Sequence, residues 1–594
     1  MQMKSTASRM LLSAIVFAAA GAPAFSQTAT SSSADEVNAL KEQVAAQQKQ
    51  IEQLRTSMEE MKQRLDQTAK ATPAAQPRTP NLGEVASTTP VLPAAKTAAA
   101  TVAVPVASPP APSGGQKEAG VSEKAALKSP GGEAAPNSPL EFHLGNAILK
   151  VGGFIDATAF FRTTNVGSGI GTSFGGIPYS NTVAGRLTEN RFTAQNSRLT
   201  MMFQTPVGDT TNVKAYVESD FLGFQPSNAF ETSNSDSFRL RLYWVQVTHG
   251  KFEFLGGQTW SFLVPNRQAL SPVPSDLFYT QNMDTNYQVG LPWTRALEFR
   301  FIYHASKEWA MGVALEDPQQ YVGNAVVLPA SPPGGSSSPY INQVDNGANV
   351  LPATSGGTGT PNLFPDVIAK VAYDPVVDGK HMHVELSGVM SQFKLFTPAT
   401  SSTPAFHETV TGGGGSFNFN LEVVKNLHLI VNSFFGDGTG RYIFGLGPSL
   451  IVKPDGSPGL VHDYSGIGGF EWQPNSKLML YGYYGGAYYQ KNYGIQCFTQ
   501  PSTGTATPAC TNVPSSKPLY VGFGFPGSSS SANRAIQEPT FGFIQTFWKN
   551  PRFGALQLIT QYSYLTRAPW YVAPNTPKNA HLSMVYADIR YVLP

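Results

Sequence analysis

The stretch FRLRLYWVQV, Phe238–Val247, sets two arginines in alternation with two leucines ahead of a Tyr-Trp pair. A period of two marks a β-strand with one charged face and one apolar face. In a soluble sandwich the leucines would be buried and the arginines would meet bulk water. In a membrane barrel the leucines meet lipid and the arginines meet an aqueous lumen. The rest of the chain decides between the two.

The same alternation recurs. In LEFRFIY, Leu297, Phe299, Phe301 and Tyr303 share one face, and Glu298 and Arg300 the other. FNFNLEV (417–423), VKAYVESDF (213–221) and VYADIRYVL (585–593) follow the same rule. Between such strands, short turns at 205–212, 248–251, 304–308, 374–380, 424–426, 473–477 and 549–552 alternate with long Gly/Ser/Pro segments. The long segments fall near 164–189, 222–237, 262–294, 318–365, 394–414, 436–461, 490–534 and 567–579. Seven short and eight long connections join sixteen antiparallel strands over 141–594, the pattern of a bacterial outer-membrane barrel. A soluble sandwich has no reason to sort loop length by parity. Charged residues make only 13% of the chain, little for a soluble body of this size. Sixteen strands enclose a channel rather than a packed core.

Ahead of the barrel, Lys4 and Arg9 precede an apolar run and small residues that offer cleavage after Ala24 or Ser26, a secretory signal over 1–26. No later run is long and apolar enough for a transmembrane helix, so a membrane location means strands. In 35–67, Val37, Leu40, Val44, Gln47, Ile51, Leu54, Met58, Met61 and Leu65 keep alternating steps of three and four, which predicts a self-associating coiled-coil helix. A lone amphipathic helix is the plainer alternative. Residues 68–140, rich in Ala and Pro, read as a disordered linker.

Taken together, the heptad helix, VESDFLG (217–223), RLRLYWVQV (239–247) and FLGGQTWSFLV (254–264) before a long third loop resemble the DcaP-like outer-membrane porins. The resemblance covers the helix and most of the barrel. It implies a homotrimer of sixteen-stranded barrels in the bacterial outer membrane. It also implies a periplasmic coiled coil and passage of small anionic solutes such as dicarboxylates. Two features depart from that pattern. The linker is longer, and the chain ends Leu593-Pro594 where such barrels end in an aromatic residue, leaving Tyr591 as the candidate assembly signal.

Candidate pore-lining residues are Arg162, Arg198, Arg239, Arg241 and Arg300, a basic wall on neighbouring strands, with Glu218, Asp220 and Glu298 on the same inward face. A third loop that folds inward would bring Arg267, Asp276 and Asp284, setting acids opposite the arginines as a constriction. Planar guanidinium forks suit carboxylates and stay charged. The plainer reading is that lumen arginines merely neutralise nearby acids. For the hairpin of the third and fourth strands we expect paired numbers summing to 459, with Asp220 opposite Arg239 and Glu218 opposite Arg241. The turn near Gly208 then puts Arg198 beside Glu218, and Arg241→Glu should lower anion selectivity without unfolding the barrel.

Cys497 and Cys510, in the long seventh loop of an exported chain, predict a disulfide stabilising by about 3 kcal/mol. His381, His383 and Glu385 share a strand face as metal ligands might, but nothing else converges on them. The run TGGGGS (411–416) precedes a strand rather than a helix, so it is not a phosphate loop. There is no catalytic constellation and no cofactor motif, and a net charge of +2 gives no nucleic-acid signal. An outer-membrane porin is the leading function. The alternative is a structural protein that tethers the membrane to the cell wall through its coiled coil and linker. A deletion of 35–140 should spare conductance if the porin reading holds.

Overall fold

The computed structural model describes residues 138–594, except 224–235, 319–321, 323–324, 330–339, 342–363, 398–403, 445 and 497–518. The expected signal segment, coiled coil, nearly all of the linker, and both cysteines lie outside the described residues.

Sixteen antiparallel strands close into a barrel. In chain order the first eight are Ala147–Arg162, a second in two pieces (Glu189–Thr193 and Arg198–Pro206), Thr211–Asp220, Arg239–His249, Phe252–Trp260, Arg295–His304, Trp309–Glu316 and Asp366–Tyr373. The second eight are Lys380–Thr397, Phe406–Val424, Leu427–Asp437, His462–Asn475, Leu478–Tyr489, Asn533–Asn550, Gly554–Pro569 and Ala580–Val592. The sixteenth pairs with the first, Phe154↔Val592 through Arg162↔Met584, so no barrel edge is left open. Ahead of the first strand, Glu141–Leu144 folds back on Ala147–Lys150, and Ser138 donates to the carbonyl of Pro594.

The faces separate as the alternation dictates. On the sixth strand Leu297, Phe299 and Phe301 are about half exposed, while Glu298, Arg300 and Ile302 are buried. The outer faces form a band of exposed aliphatic and aromatic side chains, the arrangement of a membrane-spanning barrel.

Two expectations need correction. The fifth loop is shorter than 394–414: the ninth strand runs to Thr397 and the tenth begins at Phe406, so TGGGGS lies inside a strand. The glycines there permit close approach, since a Cβ on Gly414 would meet the Phe435 carbonyl at 2.5 Å. The second concerns the opening stretch. Asp220↔Arg239 and Ser219↔Leu240 pair as expected, but the register then shifts and Glu218 faces Leu242. A β-bulge at Arg241 turns two successive side chains inward, and the faces swap beyond it. Leu240 is 48% exposed on the outside, whereas Leu242 is fully buried with Trp244, and Tyr243 and Val245 point out. The displaced Arg241 carbonyl accepts from Gln258 Nε2 at 2.6 Å.

Candidate functional site

Among the described residues, three long connections enter the lumen. The third loop leaves the fifth strand and returns to the sixth, yet its contacts lie across the barrel. Arg267 forms two 2.7 Å bonds to Glu471 on the twelfth strand. The Gln281 amide donates to the Tyr483 hydroxyl, the Met283 amide to Gln561, and the Val289 amide to Glu538. Asp284 accepts from the Tyr586 hydroxyl at 3.0 Å. The loop lies so close to the far wall that a Cβ on Gly485 would meet the Val289 carbonyl at 1.8 Å, a position only glycine can fill. Its base is held by a polar network: Lys370 Nζ binds the Val264 carbonyl, Asn266 and Glu385. Glu385 also contacts His383, whose Nδ1 meets Asp374. His383 and Glu385 thus belong to a loop anchor, and His381 is exposed apart from them.

The first loop joins the third, the Thr172 amide donating to Asp284. The sixth reaches it through a 2.9 Å bond from the Trp293 amide to the Tyr442 carbonyl. Phe444 packs on Trp293 at 4.5 Å between ring centroids.

The candidate site lies on the wall of the second to sixth strands. Arg239 clasps Asp220 through Nε and Nη2 at 2.9 and 2.6 Å. Arg241, fully buried, reaches Glu218 at 2.6 Å and Asp220 at 2.7 Å. Arg198 stands opposite Asp220 rather than beside Glu218, two residues from the expected register, but its Nη1 still reaches Glu218 at 3.4 Å. Arg295, half-buried at the start of the sixth strand, makes no ion pair among the described residues and lies within electrostatic range of Arg239 and Arg241. Among the described residues, four guanidinium groups therefore face two carboxylates, an excess of two positive charges. Arg198 Nε and Nη2, Arg241 Nη2 and the hydroxyls of Tyr279 and Tyr287 are buried with no hydrogen-bond partner. These two tyrosines stack at 5.1 Å on the third loop, and Trp260 packs on both. Burial pushes the Tyr287 phenol up to about 12 and Tyr279 well above its ordinary value, so both stay protonated donors.

The expected basic wall is not continuous. Arg162 pairs with Glu189 and donates to the carbonyls of Gly169 and Ile170, holding the first loop. Arg300 pairs with Glu298 at 2.6 Å. Both are neutralised locally, as the plainer reading had it. Asp276 lies in the short 3₁₀ turn of the third loop, and Asp284 faces Thr172 of the first loop and Tyr586 of the sixteenth strand, so neither stands against the cluster of Arg198, Arg239 and Arg241. Sequence reasoning missed Arg295. Simple alternation groups it with outward Leu297 and Phe299, and only the strand end lets it turn inward.

No protein-family model matches the sequence, and no curated protein matches it. The fold is that of outer-membrane channels. The chain is similar to the outer-membrane channel DcaP of Acinetobacter baumannii, with a TM-score of 0.50 at 16% identity, over 77% of this chain and 99% of that one. It is also similar to an anion-selective porin from Comamonas acidovorans, with a TM-score of 0.39 at 11% identity, over 75% and 99% of the two chains. OmpF of Salmonella typhi matches with a TM-score of 0.37 at 11% identity, over 76% and 99%.

Proposed function

We propose that the protein is an outer-membrane porin, a passive diffusion channel for small anionic solutes with dicarboxylates among them. Its N-terminal region lies in the periplasm, and its coiled coil joins three copies. The observation that carries the substrate class is the excess of arginine over carboxylate where the third loop crosses the lumen. A solute carboxylate there meets half-buried Arg295 directly, while the sealed guanidinium groups of Arg198 and Arg241 act on it through their charge. Fixed cations spaced along a wall draw an anion in. Conduction also requires that each site release it, and the carboxylates of Glu218 and Asp220, which already hold three of the arginines, keep the field moderate.

Arg295 is the residue to test, because it carries charge without holding the wall together. In planar bilayers under a salt gradient, the wild-type channel should show an anion-selective reversal potential, and Arg295→Gln should move it toward zero at unchanged assembly. A cation-selective wild type, or a reversal potential that ignores the substitution, would place selectivity elsewhere. Arg241→Glu is a poor probe of selectivity. It would leave three carboxylates together in a buried site, so it tests folding first.

A further inference from the structure

We propose that the outer rim of the barrel beside the seventh loop binds the phosphorylated headgroup of an anionic lipid, through Lys491, Arg534 and Trp570. Trp570 follows directly on the fifteenth strand at the long-loop end of the barrel. Its ring is fixed rather than free: Nε1 donates to the Tyr489 carbonyl at 2.9 Å, its own amide donates to the Ala532 carbonyl, and Tyr488 meets it edge-on at 6.0 Å. Gly524 lies so close that a Cβ there would touch the indole at 2.6 Å. On this platform lie two cations, Lys491 Nζ at 5.6 Å and the Arg534 guanidinium at 6.0 Å from the ring centroid.

Both cations are exposed, and neither makes an ion pair among the described residues. That sets them apart from the lumen arginines at positions 162, 198, 239, 241, 267, 300 and 590, each of which meets a carboxylate. The carboxylate of Asp437 on the eleventh strand is already engaged by His462, its partner on the twelfth. Below the pair, Tyr484, Phe541 and Tyr562 present exposed outward faces. An apolar wall, an amphipathic indole at its upper limit and two unneutralised cations above it reproduce the order of acyl chain, interface and headgroup. A phosphate there would bridge both cations while its acyl chain lay along the aromatic wall. Each cation near a membrane surface should enrich an anionic lipid about fivefold.

The test uses the full chain in vesicles of phosphatidylcholine and phosphatidylglycerol, with bromine on the acyl chains of one lipid or the other. The difference in fluorescence quenching between wild type and Trp570→Phe isolates Trp570 from the other tryptophans. Bromine on phosphatidylglycerol should quench it several-fold more than the same mole fraction on phosphatidylcholine. The ratio should fall to near one in the Lys491→Gln/Arg534→Gln double variant, whose single-channel conductance should stay at the wild-type value. Equal quenching by the two lipids in the wild type would overturn the proposal. So would quenching by neither lipid, the result expected if a second copy of the chain covered this face.

Discussion

The hairpin of the third and fourth strands and the hairpin of the sixth and seventh are written in the same alphabet, yet they fold by different rules. In the second, Glu298↔Glu316 runs to His304↔Ala310 without interruption, and every odd residue from Leu297 to Phe301 faces out. In the first, the register breaks between Glu218 and Ser219, and Arg241 and Leu242 both turn inward. The difference follows from what the inward side chains must reach. Arg300 needs one carboxylate, its neighbour Glu298. Arg241 bridges two, Glu218 and Asp220, while Arg239 holds Asp220 as well. A bulge re-aims a side chain without disturbing the rest of the ladder. Here it places a second guanidinium over carboxylates that regular pairing would have matched one to one. Alternation therefore predicts a wall where each charge has its own partner, and fails where charges are shared.

The contrast breaks first at the charges. Arg241→Met should destabilise the barrel by about 3–5 kcal/mol, since it strips a cation from two buried carboxylates. Arg300→Met, in the regular hairpin, leaves one carboxylate without its arginine and should cost less. Urea unfolding of the two variants in lipid vesicles checks the order. Equal costs would mean that the shared clamp adds nothing to an ordinary ion pair.

That same sharing marks where the sequence stopped being legible. Strand number, closure, loop parity and the outward face of the sixth, tenth and sixteenth strands all follow from period-two patterning, because lipid outside and water inside impose one rule on every residue. The bulge does not, since FRLRLYWVQV satisfies the rule on paper and departs from it only because Arg241 reaches Asp220. The first part of the tenth strand, Phe406–Ser416, was hidden for the opposite reason. Gly412–Gly415 carry no side-chain pattern at all, and their value lies in letting the ninth and eleventh strands approach. At the site, Arg198, Glu218, Asp220, Arg239 and Arg241 were identifiable as inward charges, but their balance was not. Arg295 and the tyrosines of the third loop join them through a crossing of the lumen that local sequence does not encode.

Parity gives a sharper test at intermediate cost. Leu240 and Leu242 are equivalent in sequence, but one meets lipid and the other is sealed inside. Leu242→Ala should cost about 2–5 kcal/mol, the loss of a buried side chain together with the cavity it leaves. Leu240→Ala should cost about 0.5 kcal/mol or less, because a side chain in lipid exchanges one apolar neighbour for another. Thiol labelling gives the same answer by another route. In a background with Cys497 and Cys510 replaced by serine, a membrane-soluble maleimide should modify Leu240→Cys and leave Leu242→Cys untouched. Labelling of both would mean that the strand slips in the bilayer.

The smallest effect isolates the bulge itself. Shifting the register frees the Arg241 carbonyl from the ladder, and an unpaired backbone carbonyl facing lipid is costly. Gln258 on the fifth strand supplies the missing donor at 2.6 Å, and its Oε1 lies 3.4 Å from the Tyr243 hydroxyl. The fifth strand can come this near because Gly257, at φ +141°, has no Cβ to strike the Tyr243 carbonyl, which would lie 2.4 Å away. Gln258→Leu keeps the outer face apolar and removes the donor, so it should cost about 1 kcal/mol. Tyr243→Phe removes only the long contact and should be close to neutral. Amide exchange in the fourth strand should rise around Arg241 in the first variant and not in the second. If Gln258→Leu is as stable as the parent, the carbonyl finds another donor, and the two arginines alone hold the bulge in place.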